Sequence, residues 1–324
     1  MKKITYLVAI LLGIAVLFYL MLPRFLYSMV TEFEPFTFEK VYSDTSLIRH
    51  FGIKNHKTPK DYGYENSEDI TFYSLLDSQK LSAWYVPAKK ESDSTLFFIH
   101  GRTSNRLKTM KYLEMMRETQ LDTLYNVFIA DFRNSGESAN QDLTIQKTYM
   151  GYKFAEDLAG GIEYLKKEKG QKKFTLYGFS MGAMTIFTYI GREDLKHDIS
   201  SIDKIIVDSP LSNVPALIHD QSSSMHVPDA IFDEAIDLVN HDINGYFNKL
   251  TMADQLKDFD KPILVLQSKT DPTTPLKYTE SELKKMKGKN IQTWIVEDAG
   301  HVKMYSKPKY HKEYIQRVNT FLRN

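Results

Sequence analysis

The chain has 324 residues and 42% hydrophobic content, enough for one large core plus an appendage. Its formal net charge of +1 gives no electrostatic case for nucleic-acid binding, and the lysine-rich runs 284–289 and 303–309 read as solvated surface. With no cysteine, disulfides, thiolate metal sites, a cysteine nucleophile and a lipid-modified N-terminal cysteine are all excluded.

The first element is apolar. After Met1-Lys2-Lys3, the run ITYLVAILLGIAVLFYLML (Ile4–Leu22) contains 19 residues and no charge. As a helix it rises about 28 Å, close to the hydrocarbon thickness of a bilayer. It runs into Pro23, Arg24, Phe25 and Leu26 without an A-x-A cleavage pattern. Residues 1–24 are therefore expected to form an uncleaved signal anchor, a transmembrane helix, rather than a removable signal peptide. Lysines precede the span and a lone Arg24 follows it, which places the N-terminus in the cytoplasm and the rest of the chain outside, as a single-pass protein of the cell membrane. Residues 25–66, rich in Phe and Tyr and then polar, form a connector expected either to pack on the following domain or to lie at the membrane interface.

One α/β domain is expected over residues 67–324. Ile70–Leu75 and Leu81–Val86 flank the turn LDSQK as a hairpin. Then come Thr95–Ile99, Asn126–Ala130, Phe174–Tyr177, Lys204–Val207, Ile263–Gln267 and Ile291–Val296. The runs TLFFI, IIV and ILVLQ are apolar throughout, as in parallel strands covered on both faces. Phe154, Leu158, Ile162 and Leu165 make one face of a crossover helix. Together these predict a mostly parallel eight-stranded sheet with flanking helices. Residues 211–258 are too many for a simple connection. There Phe232, Ile236, Val239, Ile243, Phe247 and Leu250 recur at helical spacing after Asp229 as N-cap, so a small helical insertion is expected between strands six and seven, its apolar face on the sheet.

The chemistry centres on Gly178-Phe179-Ser180-Met181-Gly182, a G-x-S-x-G pattern after the apolar strand FTLY and before a helix over Met181–Ile190. A nucleophile raised on a sharp turn leaves no room for neighbouring Cβ atoms, and the helix N-terminus behind it favours negative charge. A serine hydroxyl needs a base. His301, in EDAGH after the last strand, is the candidate; His100 ends a strand, but the Gly101 beside it suggests a tight turn instead. Asp271, in KTDPTTP after the seventh strand, is the candidate to orient the imidazole, with Asp208 in VDSP as its rival; Glu297 and Asp298 sit too close to His301 in sequence to reach its ring. The chain order Ser180, Asp271, His301 is that of α/β hydrolases.

On these motifs, residues 67–324 resemble the α/β-hydrolase superfamily of serine hydrolases. IHG at 99–101, DFRNSGES at 131–138, GFSMG at 178–182, SKTDPTTP at 268–275 and AGH at 299–301 carry the resemblance, which is nearest to its membrane-anchored, prolyl-oligopeptidase-like and serine-aminopeptidase-like branch. The resemblance implies an oxyanion hole made by the backbone N–H groups of Met181 and Arg102; the Arg102 side chain either meets an anionic part of the substrate or faces solvent. Two departures from the pattern stand out. Asn134 occupies a turn position usually held by glycine, which its tolerance of left-handed geometry permits. Gln267-Ser268-Lys269 replaces a glycine ahead of the Asp271 loop and bears on how that acid is placed.

The resulting expectation is a serine hydrolase that cleaves a carboxylic ester or thioester through an acyl-enzyme, acting on a small-molecule ester or a lipid. The alternative is an aminopeptidase-like serine peptidase, whose substrate ammonium group would need a carboxylate such as Asp229, Asp233, Glu234 or Asp237. A third reading, from another class, is a non-catalytic binding protein on the same fold. No H-E-x-x-H, Walker A loop or G-x-G-x-x-G is present, so neither metal nor cofactor is expected.

Overall fold

Unbroken apolar runs suit strands covered on both faces, and in the computed structural model they form the middle of one sheet. The structure describes residues 2–54, 56–139, 145–195 and 199–324; Met1, the head of the expected anchor, lies outside them. The sheet comprises β1 (Glu68–Tyr73), β2 (Lys80–Val86), β3 (Ser94–Ile99), β4 (Asn126–Asp131), β5 (Lys173–Phe179), β6 (Ile202–Asp208), β7 (Ile263–Ser268) and β8 (Ile291–Val296). Their spatial order is β8-β7-β6-β5-β3-β4-β2-β1. β2 pairs antiparallel with β1 and β4, and the remaining pairings are parallel.

Side chains of β3 alternate between two cores. Leu96 and Phe98 pack into one, with helix Tyr112–Glu118 and the C-terminal helix; Phe97 and Ile99 pack into the other, with the crossover helices. This is the period of two expected of a pleated strand, with both sides apolar.

The helices used below are α1 (Lys2–Thr31), α2 (Tyr152–Lys169), α3 (Met181–Gly191), α4 (Val214–Ser224), α5 (Asp229–Asp242), α6 (Leu276–Lys285) and α7 (Pro308–Arg323). The predicted stripe Phe154, Leu158, Ile162 and Leu165 of α2 is buried, and Gly170 ends that helix in the left-handed region at φ 64°.

Helix α1 continues through Pro23 to Thr31, so the first part of the expected connector is helical. Its stretch Ile10–Thr31, with mean hydropathy 2.0, is long and apolar enough to cross a membrane. The two halves of the helix differ. Tyr6, Leu7, Ile10 to Leu12, Ile14 and Val16 to Met21 are exposed, whereas Leu22 and Leu26 pack against Ile231 and Ala235 of α5. Beyond it, Glu32–Phe33 pairs antiparallel with Gln146–Lys147. Val41, Phe51, Ile53, Tyr62 and Tyr64 of the connector are buried in the core that also holds Phe98, so this segment packs on the domain.

The insertion holds α4 and α5 between β6 and β7. Its apolar side has two partners rather than the expected one: Val239, Ile243, Phe247 and Leu250 join the main core, while Ile231 and Ala235 meet α1. Asp229 is not an N-cap. Pro228, with extended backbone at φ −60° and ψ 140°, takes that position, and Asp229 sits in the first turn, where a carboxylate complements the helix dipole. The apolar period does not continue as one helix either, because Asn244 and Gly245 turn left-handed after α5 and Phe247–Lys249 forms a separate short turn.

Candidate active site

Parallel strands bring the loops after β3, β5, β6, β7 and β8 to one edge of the sheet, and the site stands there. Ser180 is the hinge between β5 and α3, at φ 54° and ψ −119°, outside the regions an L-residue ordinarily occupies. The two glycines around it are required by contact. A Cβ on Gly178 would come within 2.7 Å of Gly182 O, and one on Gly182 would overlap the carbonyl of Ile99. Thr103, Ser209 and Val302, in three loops around the serine, also have positive φ, the β-branched Val302 at 49°. Strain of this kind survives only where the surroundings over-determine it. At Val302 the Ser209 hydroxyl accepts its N–H at 3.0 Å.

His301 Nε2 lies 3.0 Å from Ser180 Oγ. On its other side, Nδ1 lies 2.9 Å from Asp271 Oδ2 and 3.1 Å from Oδ1. Burial by itself would raise the pKa of Asp271. The hydrogen bond and charge of His301, with the amides of Thr274 and Thr273 at 2.9 Å each, more than offset this and hold it below the usual carboxylate value. The carboxylate is thus ionised at neutral pH and accepts the Nδ1 proton. That tautomer leaves Nε2 free to accept from the serine hydroxyl.

The rival acid is held elsewhere. Asp208 ends β6 with Tyr314 Oη donating to Oδ2 at 2.9 Å and Ser209 Oγ to Oδ1 at 3.0 Å, and complete burial pushes its pKa up to about 6. Glu297 pairs with Lys269, and Asp298 with Tyr310 and Lys309, away from the imidazole. His100 is buried: the Phe132 N–H donates to its Nε2 at 3.1 Å, so Nδ1 carries the proton and donates to Gly101 O at 2.9 Å. It is a structural, neutral imidazole.

Met181 opens α3, so its N–H has no intrahelical acceptor. A Cβ on Gly101 would sit 3.0 Å from Ser180 Cβ and 3.6 Å from Oγ, so the Gly101-Arg102 turn abuts the hydroxyl. The Arg102 side chain is exposed, one of the two expected outcomes, and is also tethered. Its guanidinium donates to Glu32 O at 2.7 Å and Met29 O at 3.3 Å, carbonyls at the C-terminal end of α1. Cations suit that end of a helix.

Gln267 and Ser268, the departure noted in the sequence, brace the site. Gln267 Nε2 donates to Thr274 O at 2.7 Å, fixing the Asp271 loop. Ser268 Oγ accepts the amides of Ala299 at 3.0 Å and Gly300 at 3.1 Å, fixing the His301 loop. Sequence reading passed over this bracing role, although two polar residues closing an apolar strand are a usable signal. Asn134 adopts the left-handed turn at φ 63° as expected.

Two cavities flank Ser180. One, of about 150 Å³, is lined by Val30, Met150, Leu211, Val214, Leu217 and Ile218 with the Met181 and Thr274 loops. The other, of about 260 Å³, includes His50, Lys108, Lys111, Tyr112, Phe179 and His301. Among the described residues, no Asp or Glu lines either. Asp229, Asp233, Glu234 and Asp237 are exposed on α5 and reach neither cavity. Among the described residues, no group of three His, Asp or Glu side chains is placed to hold a metal ion.

Comparison with known proteins agrees with this architecture. Residues 94–242 match the family model for the alpha/beta hydrolase fold. A Bacillus subtilis (strain 168) protein, the uncharacterized YqkD, is 27% identical over 246 residues, 74% of each chain. The Pyrococcus furiosus esterase Pf2001 superposes with a TM-score of 0.60 at 24% identity, covering 83% of this chain and 94% of its own. The dipeptidyl peptidase 4 of Porphyromonas gingivalis superposes with a TM-score of 0.54 at 14% identity over 80% of this chain and 35% of its own. At these identities the structural likenesses carry the fold alone.

Proposed function

The chain is an α/β hydrolase in fold, and from that premise we propose that it is a serine esterase that cleaves carboxylic esters through an acyl-enzyme. The observation that carries this is the unbroken relay from Asp271 through His301 to Ser180, at 2.9 and 3.0 Å. Ser180 Oγ attacks the ester carbonyl as His301 Nε2 takes its proton; the amides of Met181 and Arg102 receive the developing oxyanion; His301 then protonates the leaving alcohol. Water repeats the steps and releases the acid. Asp271 keeps the imidazole in the required tautomer and stabilises its cation.

The apolar cavity suits the acyl chain. Helix α1 anchors the domain to the membrane with the domain outside the cytoplasm, so the substrates are esters reached at the bilayer surface. An aminopeptidase would need a carboxylate beside Ser180 for the substrate ammonium, and the cavities offer cations instead.

Labelling by a fluorophosphonate probe, lost in Ser180→Ala, together with turnover of p-nitrophenyl acyl esters but not aminoacyl arylamides, is the expected result. A folded wild-type chain that takes no label overturns the enzyme reading, and faster turnover of the arylamides overturns the esterase.

A further inference from the structure

The larger cavity contains cations that the ester chemistry leaves unused. Lys111 is buried, at 5% exposure, yet among the described residues no carboxylate lies within ion-pair distance of its ammonium. Its Nζ has the Ser306 hydroxyl at 3.3 Å and stands over the rings of Tyr112 at 5.4 Å and Tyr305 at 5.9 Å. One helical turn away in sequence, Lys108 lies 3.2 Å from Nε2 of His50, again without a carboxylate partner. All three line the cavity that reaches Ser180 and His301. Taking an ammonium out of water is expensive unless an anion accompanies it; the buried Lys111 and the half-buried Lys108, facing a cavity that no described Asp or Glu lines, make an electropositive hollow.

We propose that this cavity is a subsite for an anionic group on the alcohol portion of the ester, a phosphate or a carboxylate, held by Lys108 and Lys111 while the acyl chain occupies the apolar cavity on the other flank of Ser180. The proposal rests on the esterase reading. The titration of the three groups agrees with it. Lys111 is pushed down to about 8 by burial and then by Lys108, against the opposing pull of Asp208. Lys108 is pushed down to about 8 by burial and then by Lys303. His50 falls to about 4 through Lys108, burial, Lys303 and Lys111. Each cation is therefore short of counter-charge, which a bound anion would supply. Lysines present compact point charges and so tolerate either anion geometry.

The test compares three matched butyryl esters, those of glycerol 3-phosphate, of lactate and of methyl lactate, hydrolysed by the full chain in detergent. One anionic ester is expected to exceed the neutral methyl lactate ester at least tenfold in kcat/KM, and the better of the two identifies the anion. In Lys111→Met and Lys108→Gln that ratio falls towards one, with no loss of melting temperature in Lys111→Met, since a buried unpaired cation is removed. Parity of the three esters in the wild type, or a ratio retained in both variants, overturns the subsite. A lower melting temperature in Lys111→Met with the ratio intact assigns Lys111 a structural role and also overturns it. Binding separates this from failure of the esterase reading: calorimetric titration of the Ser180→Ala chain with glycerol 3-phosphate and with lactate requires no turnover. Heat of binding that disappears on adding Lys111→Met supports the subsite, and no binding of either anion overturns it.

Discussion

The two cavities beside Ser180 share that serine, Arg102 and Thr273, and otherwise draw on different elements. The apolar one is closed by residues from the insertion and by Val30 of α1, so its depth depends on two elements outside the central sheet. The cationic one is built by the helices after β3 and by the connector, with His50 at its rim. Among the described residues, no carboxylate lines either. On the proposed reading, selectivity comes from outside the sheet: the edge of the sheet carries Ser180, His301 and Asp271, while peripheral elements line the two cavities beside them.

Four experiments test this contrast. Loss of Ser180 acts on both halves equally, so Ser180→Ala is expected to reduce kcat on neutral and anionic esters alike, by about 10⁴-fold or more; unequal losses would mean that the cavities do not serve one nucleophile. Asp271→Asn spoils the tautomer of His301, with an expected loss on the order of 10⁴ in kcat on both substrate types and no change in their ratio; retained activity would return Asp208 to consideration. The pH profile separates the halves. Lys108 and Lys111, both pushed down to about 8, are charged below that pH and neutral above it. The ratio of anionic to neutral kcat/KM should therefore be full near pH 7 and decline on going to pH 9, by about tenfold if both ammonium groups contribute; a flat ratio removes them from recognition. Finally, Ile218→Trp should fill the apolar cavity and shift the preference towards shorter acyl chains, by about 1–3 kcal/mol of discrimination, read from an ester panel graded by length. An unchanged length profile would place the acyl chain elsewhere.

Helix α1 is also joined to the site. The Arg102 guanidinium ties the loop beside the serine to the end of α1, and Tyr27 donates to Asp242 of α5, which also accepts Lys147 at 2.9 Å. The half of α1 that packs on the domain thus contributes Val30 to the cavity wall, whereas Tyr6, Leu7, Ile10 to Leu12, Ile14 and Val16 to Met21 are exposed.

Much of this was legible in the sequence. The eight strands, the crossover helix and the place of the insertion follow from runs and periods that local sterics and burial impose on any chain. The G-x-S-x-G stretch shows itself because a serine on a strained hinge excludes neighbouring side chains, and that exclusion leaves a mark on consecutive residues. What the tertiary structure decided is whatever depends on loops far apart in the chain: that His301 turns to Asp271 and leaves Asp208 to Tyr314, that Gln267 and Ser268 hold two loops, and that α5 divides its apolar face between the core and α1. Lys108 and Lys111 are the clearest case. In sequence they are two cations set among Leu107, Met110, Tyr112 and Leu113, a faint signal; only the folded chain, which buries Lys111 and half-buries Lys108 while Asp131 and Glu137 pair with Arg106 instead, sets the two side by side without a described acid partner. Periodicity is written locally, whereas the charge balance of a cavity is a sum over elements that meet only when the chain has folded.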